Sequence, residues 1–290
     1  TVSLHCIEDS VTCNFKSRAA EVSIRIAFTV QYVGTDFFGF QLQKSERTVQ
    51  AELEKALALV LRERVRIYCS GRTDTGVHAL AQVVHLETTN HDIELHRLIY
   101  SLNAVMPNDV SIIHGQFVEA DFHARFSCLG REYIYKIVNA PYRMADEFGS
   151  SYWVRQKLDI EAMRKAVEPL IGEFDFAAFT PSIHVRANEI TIRRIDDIKI
   201  LQIGTHVYFH FCGSGFLHNM IRILTGTLIE VGTGRAEPGK LKKALESKQR
   251  TEAGITIPPQ GLYFAYAKYK TYQTPAELIP LREILLNRVY

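Results

Sequence analysis

The sequence predicts an α+β fold in which two similar lobes share a mostly antiparallel sheet. The first clear element, residues 22–32, alternates apolar and polar side chains with the period of two that is typical of a half-buried strand. A strand with one covered face favours an antiparallel or mixed sheet. The order strand, helix, strand, strand, helix, strand is then predicted roughly twice, with a break near Glu119–Gly130. Two such units can share one sheet.

The individual elements follow from apolar patterns and end signals. Val49, Leu53 and Leu57 form one stripe of a helix after Thr48, whose hydroxyl suits the N-cap. The other elements predicted in the first unit are strands at 66–70 and 81–87, a helix at 94–103 and a strand at 110–118. Those in the second are a strand at 131–139, a helix over 159–172 between Asp159 as N-cap and Gly172, strands at 195–203 and 206–212, helices at 216–232 and 238–247, and a strand at 262–270.

The chain is predicted to divide into two lobes near residue 118, flanked by an N-terminal extension and a C-terminal tail. Residues 22–118 form an N-terminal lobe and residues 119–274 a C-terminal lobe. Residues 1–21 show no clear period and are interpreted as an extension, whose order the sequence leaves open. The tail over 275–290 could form an amphipathic helix or fray.

Composition disfavours several classes of protein. No apolar run approaches the ~18–20 residues needed to cross a membrane, and the N-terminus has no signal-peptide pattern. The five cysteines are scattered without a Cys-x-x-Cys pair, which argues against disulfides or zinc and for a reducing, cytoplasmic setting. The eleven histidines show no metal-site spacing, and His85, His91 and His96 are predicted to lie at the surface. A net charge of +2 permits a nucleic-acid partner only if basic residues cluster on one face.

The stretch "CSGRTDTGVHA" places Asp74 in a turn between two apolar runs. Gly71 and Gly76 relax the backbone there and aspartate favours turns, so a structural role is one interpretation. The other is catalysis, because Arg72 could lie on the same side of an extended segment and keep Asp74 ionised, as a nucleophile or electrostatic stabiliser requires. Cys69 could be a nucleophile or, like most such thiols, a packing group.

A second candidate is "DFHARFSCLGREYIYKI", residues 121–137, in which basic and aromatic side chains are interleaved. Rings that stack on bases and guanidiniums that meet phosphates suit single-stranded nucleic acid. His123 and Arg125 are the predicted substrate contacts in this stretch. The alternative is a linker that runs into a strand whose aromatic residues face the core.

Arg222 is the one basic residue in the otherwise apolar run "MIRIL". A largely buried arginine needs a partner, and we expect Asp74 across the cleft between the lobes; an arginine that snorkels to the helix surface is the alternative. The preceding "GSGF" imitates a dinucleotide-binding turn. His218 occupies the place of the third glycine, however, and no second strand with an acidic end follows, so a nucleotide cofactor is disfavoured.

In combination, these motifs resemble the TruA-type tRNA pseudouridine synthase family over roughly Val22–Lys270. "GRTDTGVHA" is similar to the active-site signature, and "DFHARFS", "REYIYKI", "GSGFLHNMIR" and "GLYFA" follow in the order of that family. The resemblance implies the pseudouridine synthase fold, with the active site between the lobes. It implies isomerisation of uridine to pseudouridine at positions 38, 39 or 40 of the tRNA anticodon arm, without cofactor or metal. It also implies a homodimer with one tRNA bound across both subunits.

The resemblance implies a role for each matching residue. Asp74 matches the catalytic aspartate and Arg222 its ion-pair partner. Tyr133 matches the tyrosine that packs on the uracil, Arg72 the arginine that displaces the target base, and Leu262 an apolar residue that lines the pocket.

The implied reaction begins with a base that leaves its helical stack, at a cost of a few kcal/mol. Stacking on Tyr133 would return ~1–3 kcal/mol. Asp74 then either adds to the uracil or the sugar, or removes a sugar proton. The sequence does not distinguish between these routes. Two other functions stay open on the residues alone. A non-catalytic RNA-binding module would leave uridine unchanged, and an oxidoreductase would be stabilised by NAD or FAD.

Overall fold

A ten-stranded sheet runs through the computed structural model, which describes residues 23–187 and 189–287. Its strands are β1 (Ile24–Tyr32), β2 (Tyr68–Cys69), β3 (His78–Thr88), β4 (Val110–Val118), β5 (Gly130–Asn139), β6 (Tyr152–Val154), β7 (Gly172–Asp175), β8 (Ile192–Ile203), β9 (His206–Gly213) and β10 (Leu262–Lys268). The helices are α1 (Val49–Leu61), α2 (Leu95–Val105), α3 (Ile160–Val167), α4 (Ser182–Arg186), α5 (Met220–Gly232), α6 (Lys240–Ser247) and α7 (Pro280–Asn287). The predicted extension, residues 1–21, lies outside the described residues.

The last strand lies in the middle of the sheet. The main strand order is β4-β1-β3-β10-β5-β9-β8-β7, with β2 beside β3 and β6 beside β5. Only the pairs β10–β3 and β5–β6 are parallel among the described strand pairs, so the predicted α+β fold with a mostly antiparallel sheet is confirmed. Strand β10 joins β3 to β5 and thereby connects the strands of the two predicted lobes. The division at residues 118 and 119 stays a prediction.

The predicted caps hold α1 and α3, whereas the end of α3 differs from the prediction. The hydroxyl of Thr48 and the carboxylate of Asp159 accept backbone N–H hydrogen bonds at 3.3 and 3.0 Å. Helix α3 ends at Val167 because Pro169 lacks an N–H, and a single 3-10 turn follows. Gly172, with a φ of 127°, begins β7 and does not terminate the helix. The short elements β6, β7 and α4 were not predicted, since three to five residues are too few to show a period.

Helix α5 is apolar on all sides because protein surrounds it. Eleven of its thirteen residues are buried, and it packs against α3, α6 and β5. At Gly226 an added Cβ would lie 2.1 Å from the carbonyl oxygen of Ile255, so the helix and the segment before β10 touch backbone to backbone. Helix α5 is therefore held against this segment, and Arg222 lies one turn before Gly226.

The tail forms a docked amphipathic helix, one of the two predicted alternatives. Leu285 of α7 is buried against Ile134, Leu201 and Ala265. Arg282 of the same helix donates two hydrogen bonds of 2.7 Å to the Glu132 carboxylate on β5, which fixes the helix to the sheet.

The Glu132 carboxylate should make a pH-dependent contribution to stability. Burial would raise its pKa, but hydrogen bonds from His210 and Arg282 lower the pKa to about 2. Because the folded-state pKa lies below the ordinary value, the contribution is present above about pH 4.5 and is lost as the pH falls toward 2. Glu132→Gln should lower the free energy of unfolding by about 3 kcal/mol at pH 7, since it leaves a mostly buried cation without its counter-charge.

Urea denaturation at pH 7 and at low pH measures this difference, which should shrink in acid. Glu283→Gln is the matched control, because Glu283 pairs with Arg282 nearer the surface and its removal should change stability by less than about 0.5 kcal/mol. Equal effects of the two substitutions would contradict the assignment.

Candidate active site

A cleft of about 1180 Å³ lies between the loop before β3 and the segment before α5. Six of the seven predicted site residues line the cleft, namely Arg72, Asp74, His123, Arg125, Tyr133 and Leu262. Arg222 lies outside its lining and reaches Asp74 from α5. Residues far apart in the sequence therefore meet at one place.

The loop that carries Asp74 is fixed by the segment before α1. The carbonyl oxygen of Thr73 accepts a hydrogen bond from the Phe40 N–H at 3.1 Å, and the Gly76 N–H donates to the Phe37 carbonyl at 3.2 Å. The Thr73 side chain turns inward, where its hydroxyl lies 2.7 Å from the hydroxyl of Tyr32. These contacts hold the loop without using the carboxylate of the next residue.

Gly39 permits a close approach of this segment to the Asp74 loop. It has a φ of 84°, and a Cβ at this position would lie 2.6 Å from the carbonyl oxygen of Thr73 and 3.3 Å from the carbonyl carbon of Asp74. No larger residue fits there unless the loop moves.

The carboxylate of Asp74 is available to the cleft. Its side chain is 30% exposed, and Oδ2 lies 3.7 Å from Nη1 of Arg222 while Oδ1 lies 3.5 Å from Nε2 of His218. The backbone carbonyl of Asp74, and not its carboxylate, closes the turn by accepting from the Val77 N–H at 3.2 Å. The expected pair with Arg72 is absent among the described ion pairs, because the Arg72 side chain is exposed while the carboxylate faces α5.

Arg222 is held in place on two sides. Its Nε donates to the carbonyl oxygen of Ile257 at 2.7 Å and its Nη1 to Oδ1 of Asn219 at 2.6 Å, and the side chain is 16% exposed. Asn219 precedes the helix with a φ of 60°, a conformation that asparagine tolerates better than most residues. The guanidinium is therefore a fixed, mostly buried charge that faces Asp74, and it does not extend along the helix surface into solvent.

The floor of the cleft is aromatic and apolar. The ring of Tyr133 meets the rings of Phe216 and Phe264 edge to face, at centroid distances of 5.2 and 5.1 Å. Leu262 and Phe264 are partners of Tyr135 and Tyr133 across the β10–β5 pair, which places Leu262 next to Tyr133 on the same face. Burial raises the pKa of the Tyr133 phenol well above its ordinary value, so the ring is neutral.

One rim of the cleft carries three rings that we call the aromatic shelf: the exposed rings of Tyr68 and Phe126 and the half-buried ring of His123. The His123 ring lies 4.4 Å from that of Phe126 and 5.4 Å from that of Tyr68. The guanidinium of Arg125 lies 5.6 Å from the centroid of the Phe126 ring, which is itself 76% exposed. His123, Arg125 and Phe126 therefore face the cleft, while strand β5, which begins at Gly130, contributes the rings of Tyr133 and Tyr135 to the core.

The predicted surface position of His85 is wrong. His91 and His96 are exposed, but His85 is buried beneath Tyr68, and its Nδ1 accepts a hydrogen bond from the Ala124 N–H at 3.1 Å. Strand β3 is covered on both faces, so its side chains do not alternate between core and solvent. Burial lowers the pKa of His85 to about 4, which keeps the ring neutral and able to accept.

Arg131 belongs to the site although it was not among the seven predicted site residues. Its guanidinium donates to the carbonyl oxygens of Ser70 and Ser214, at distances from 2.6 to 2.9 Å. It thus joins the start of the Asp74 loop to the segment before α5. The signal in the sequence was an arginine at the start of the strand "REYIYKI", within the stretch of interleaved basic and aromatic residues.

The cleft is basic although the chain is nearly neutral. Its charged lining consists of five arginines and two acids, namely Arg66, Arg72, Arg125, Arg131, Arg193, Asp74 and Glu189. The clustering of bases that a polyanionic partner requires is therefore present on this surface.

The structure disfavours a nucleophilic role for Cys69. Burial raises the pKa of the Cys69 thiol to about 11, so it stays protonated near neutral pH and packs at the cleft wall as a weak nucleophile. Within residues 23–187 and 189–287, no cluster of acidic, histidine and cysteine side chains could hold a metal ion. None of the described helices combines the length and apolarity required to span a bilayer.

The fold and the cleft define a site of catalytic type. An arginine-backed carboxylate lies beside an apolar aromatic floor, and exposed rings and guanidiniums surround the entrance. Such a site suits a flat ring carried on an anionic chain.

Comparison with known proteins identifies the family. A profile of the tRNA pseudouridine synthases matches residues 28–127 and 166–270. The chain is 42% identical over 260 residues to tRNA pseudouridine synthase A of Leptospira biflexa, covering 88% of this chain and 98% of that protein. It is 42% identical over 248 residues to that of Exiguobacterium sp. (85% and 98% covered) and 38% over 244 residues to that of Acetivibrio thermocellus (84% and 99%). The chain therefore belongs to the tRNA pseudouridine synthase family.

Gly39→Ala should destabilise the protein by about 3 kcal/mol, because backbone strain is added to a clash with the Asp74 loop. Gly204→Ala is the matched control. Gly204 also has a positive φ, 60°, but an added Cβ would meet nothing within 4 Å, so only about 1 kcal/mol of backbone strain is expected. Urea denaturation measures both, and equal losses would show that the loop does not rest on Gly39.

Proposed function

We propose that the protein isomerises uridine to pseudouridine in the anticodon stem-loop of tRNA, at position 38, 39 or 40, with Asp74 as the catalytic carboxylate. The observation that carries the assignment of Asp74 is its geometry. It is partly exposed in the basic cleft, it faces Arg222 at 3.7 Å, and its carboxylate is not used to hold its own loop.

The reaction breaks the bond between N1 of uracil and C1′ of ribose and joins C1′ to C5. Asp74 serves either as a nucleophile toward the uracil or the sugar, or as the base that removes a sugar proton. Each route requires an ionised carboxylate aimed at the nucleoside. Arg222 supplies the opposite charge, and its hydrogen bonds to Ile257 and Asn219 keep that charge fixed while the substrate moves.

The everted uracil binds over the floor of the cleft. Tyr133 offers a neutral ring held by Phe216 and Phe264, and Leu262 fills the space beside it. Stacking on such a surface returns ~1–3 kcal/mol per base and so offsets part of the cost of removing the base from its stem.

The entrance of the cleft binds the rest of the anticodon arm. Arg72 is exposed beside Asp74, where its guanidinium can take the space that the target base leaves. The aromatic shelf receives an unpaired neighbouring base, while Arg125 contacts the phosphates. His123 lies at the centre of this shelf.

The assembly is proposed to be a cytoplasmic homodimer with tRNA bound across both subunits. The net charge of +2 is small for a protein that binds a polyanion, so a second copy would add basic surface beyond the five arginines of one cleft. The scattered cysteines agree with a reducing compartment.

Asp74→Asn preserves the shape of the side chain and removes its charge, so pseudouridine formation should fall below detection. Binding of tRNA should stay within a few fold of wild type, because the arginines and the shelf are unchanged. Pseudouridine mapping on unmodified tRNA, together with a filter-binding assay, measures the two properties. Asp92→Asn, an exposed aspartate before α2, is the control and should be fully active. Turnover by Asp74→Asn would refute the catalytic role.

Phe126→Ala should weaken tRNA binding about tenfold, the equivalent of one lost stacking contact of ~1–3 kcal/mol. Phe148→Ala is the matched control, because it removes an equally large ring that is 92% exposed and lies outside the cleft lining. This variant should bind tRNA as tightly as the wild type does. The dissociation constants are compared at one fixed salt concentration. Equal binding by the two variants would remove the shelf from the RNA-binding surface.

A further inference from the structure

Two histidines connect the Asp74 carboxylate to a second acid at the cleft wall. Nε2 of His218 lies 3.5 Å from Oδ1 of Asp74, and its other nitrogen, Nδ1, lies 2.9 Å from Nε2 of His184. Nδ1 of His184 in turn lies 2.7 Å from Oε1 of Glu189. We call these four residues the histidine chain. Its two ends are acceptors when ionised, and its two central members each offer two ring nitrogens.

The number of protons decides which contacts of the histidine chain can form. Three contacts connect the four residues, and each contact needs one N–H. The terminal carboxylates only accept, so the two imidazole rings must supply all three of these N–H groups. Two neutral imidazoles carry two N–H groups in total. Whichever tautomers they adopt, at least one of the three contacts then lacks a proton and places two lone pairs face to face. A third proton, which makes one of the rings an imidazolium, completes all three contacts at once.

Other parts of the fold hold the histidine chain in position. The backbone carbonyl of His218 accepts a hydrogen bond from Oγ1 of Thr180 at 3.2 Å, and the Glu189 N–H donates to the carbonyl of His184 at 3.3 Å. The two imidazole rings meet edge to face at 4.9 Å. The pair is thus fixed between two carboxylates, which favour a third proton.

The cations of the cleft act in the opposite direction. Arg222 faces Asp74 from α5, and Arg193 interacts with Glu189 from β8. The other charged or titratable side chains that line the cleft are Arg66, Arg72, Arg125, Arg131, His123, Tyr68, Tyr133 and Cys69. The two acids, by contrast, contact the imidazole rings directly, at 3.5 Å for Asp74 and 2.7 Å for Glu189.

We propose that His184 and His218 share a third proton, and that this proton positions the catalytic carboxylate by directing an N–H of His218 at Asp74. The proposal rests on the proposed function of Asp74. His218, His184 and Glu189 are positioning residues, since they act on the substrate through Asp74. When the third proton leaves, one contact must break, and the longest, at Asp74, is the weakest of the three. Support for the carboxylate therefore declines with rising pH.

Glu189→Gln tests this mechanism without loss of shape. The amide can donate an N–H to Nδ1 of His184, so two neutral imidazoles now complete all three contacts. In the wild type, the single-turnover rate of pseudouridine formation should fall about three- to tenfold as the pH rises through the histidine range, the effect expected for the loss of one hydrogen bond of ordinary net strength. In Glu189→Gln this fall should be absent. Glu173→Gln, which removes an exposed acid on β7, should keep the wild-type profile.

A second measurement is independent of activity. Nitrogen NMR of the imidazoles in the free wild-type protein should show three N–H protons on His184 and His218 together at the pH of maximal rate, and two in Glu189→Gln. Two neutral rings in the wild type at the pH of maximal rate would overturn the proposal, as would an unchanged pH profile in Glu189→Gln. A wild-type protein that makes no pseudouridine but carries the third proton would refute the proposed function alone.

Discussion

The contact between Asp74 and Arg222 depends on the parallel pairing of β3 with β10. Parallel neighbours begin at the same edge of a sheet, so the segments that precede the two strands meet there. One segment carries Asp74, and the other carries Ile257, whose carbonyl oxygen orients Arg222. Because β10 comes from the end of the chain, the site cannot be complete until the last strand enters the sheet between β3 and β5.

The same arrangement separates the groups that hold the site from the groups that face the substrate. Backbone contacts position the Asp74 loop, and the close approach at Gly39 leaves it no room to shift. Arg131 then ties this loop to the segment before α5 through carbonyl oxygens alone. The carboxylate itself thus remains free to contact Arg222 and His218 inside the cleft, where a substrate can reach it.

Local patterns predicted the elements well where one face of an element is solvated and its ends are marked. Thr48 and Asp159 cap the expected helices, and strand β4 has the predicted bounds. The pattern failed for His85 because β3 is buried on both faces, so the identity of a side chain did not reveal its exposure. It also failed for the Arg72–Asp74 pair, since the loop directs the two side chains apart.

The sequence by itself determined the types and order of the elements and, through motifs such as "GRTDTGVHA", the family to which the chain is similar. It also marked the chemically unusual residues, because an acid in a glycine-flanked turn and a lone arginine in an apolar helix are local features. Only the tertiary structure decided that His184, His218 and Glu189 extend from Asp74, and that Arg131 bridges two distant loops. Such contacts join residues far apart in the chain, and their geometry depends on strand pairing and packing that no local period records.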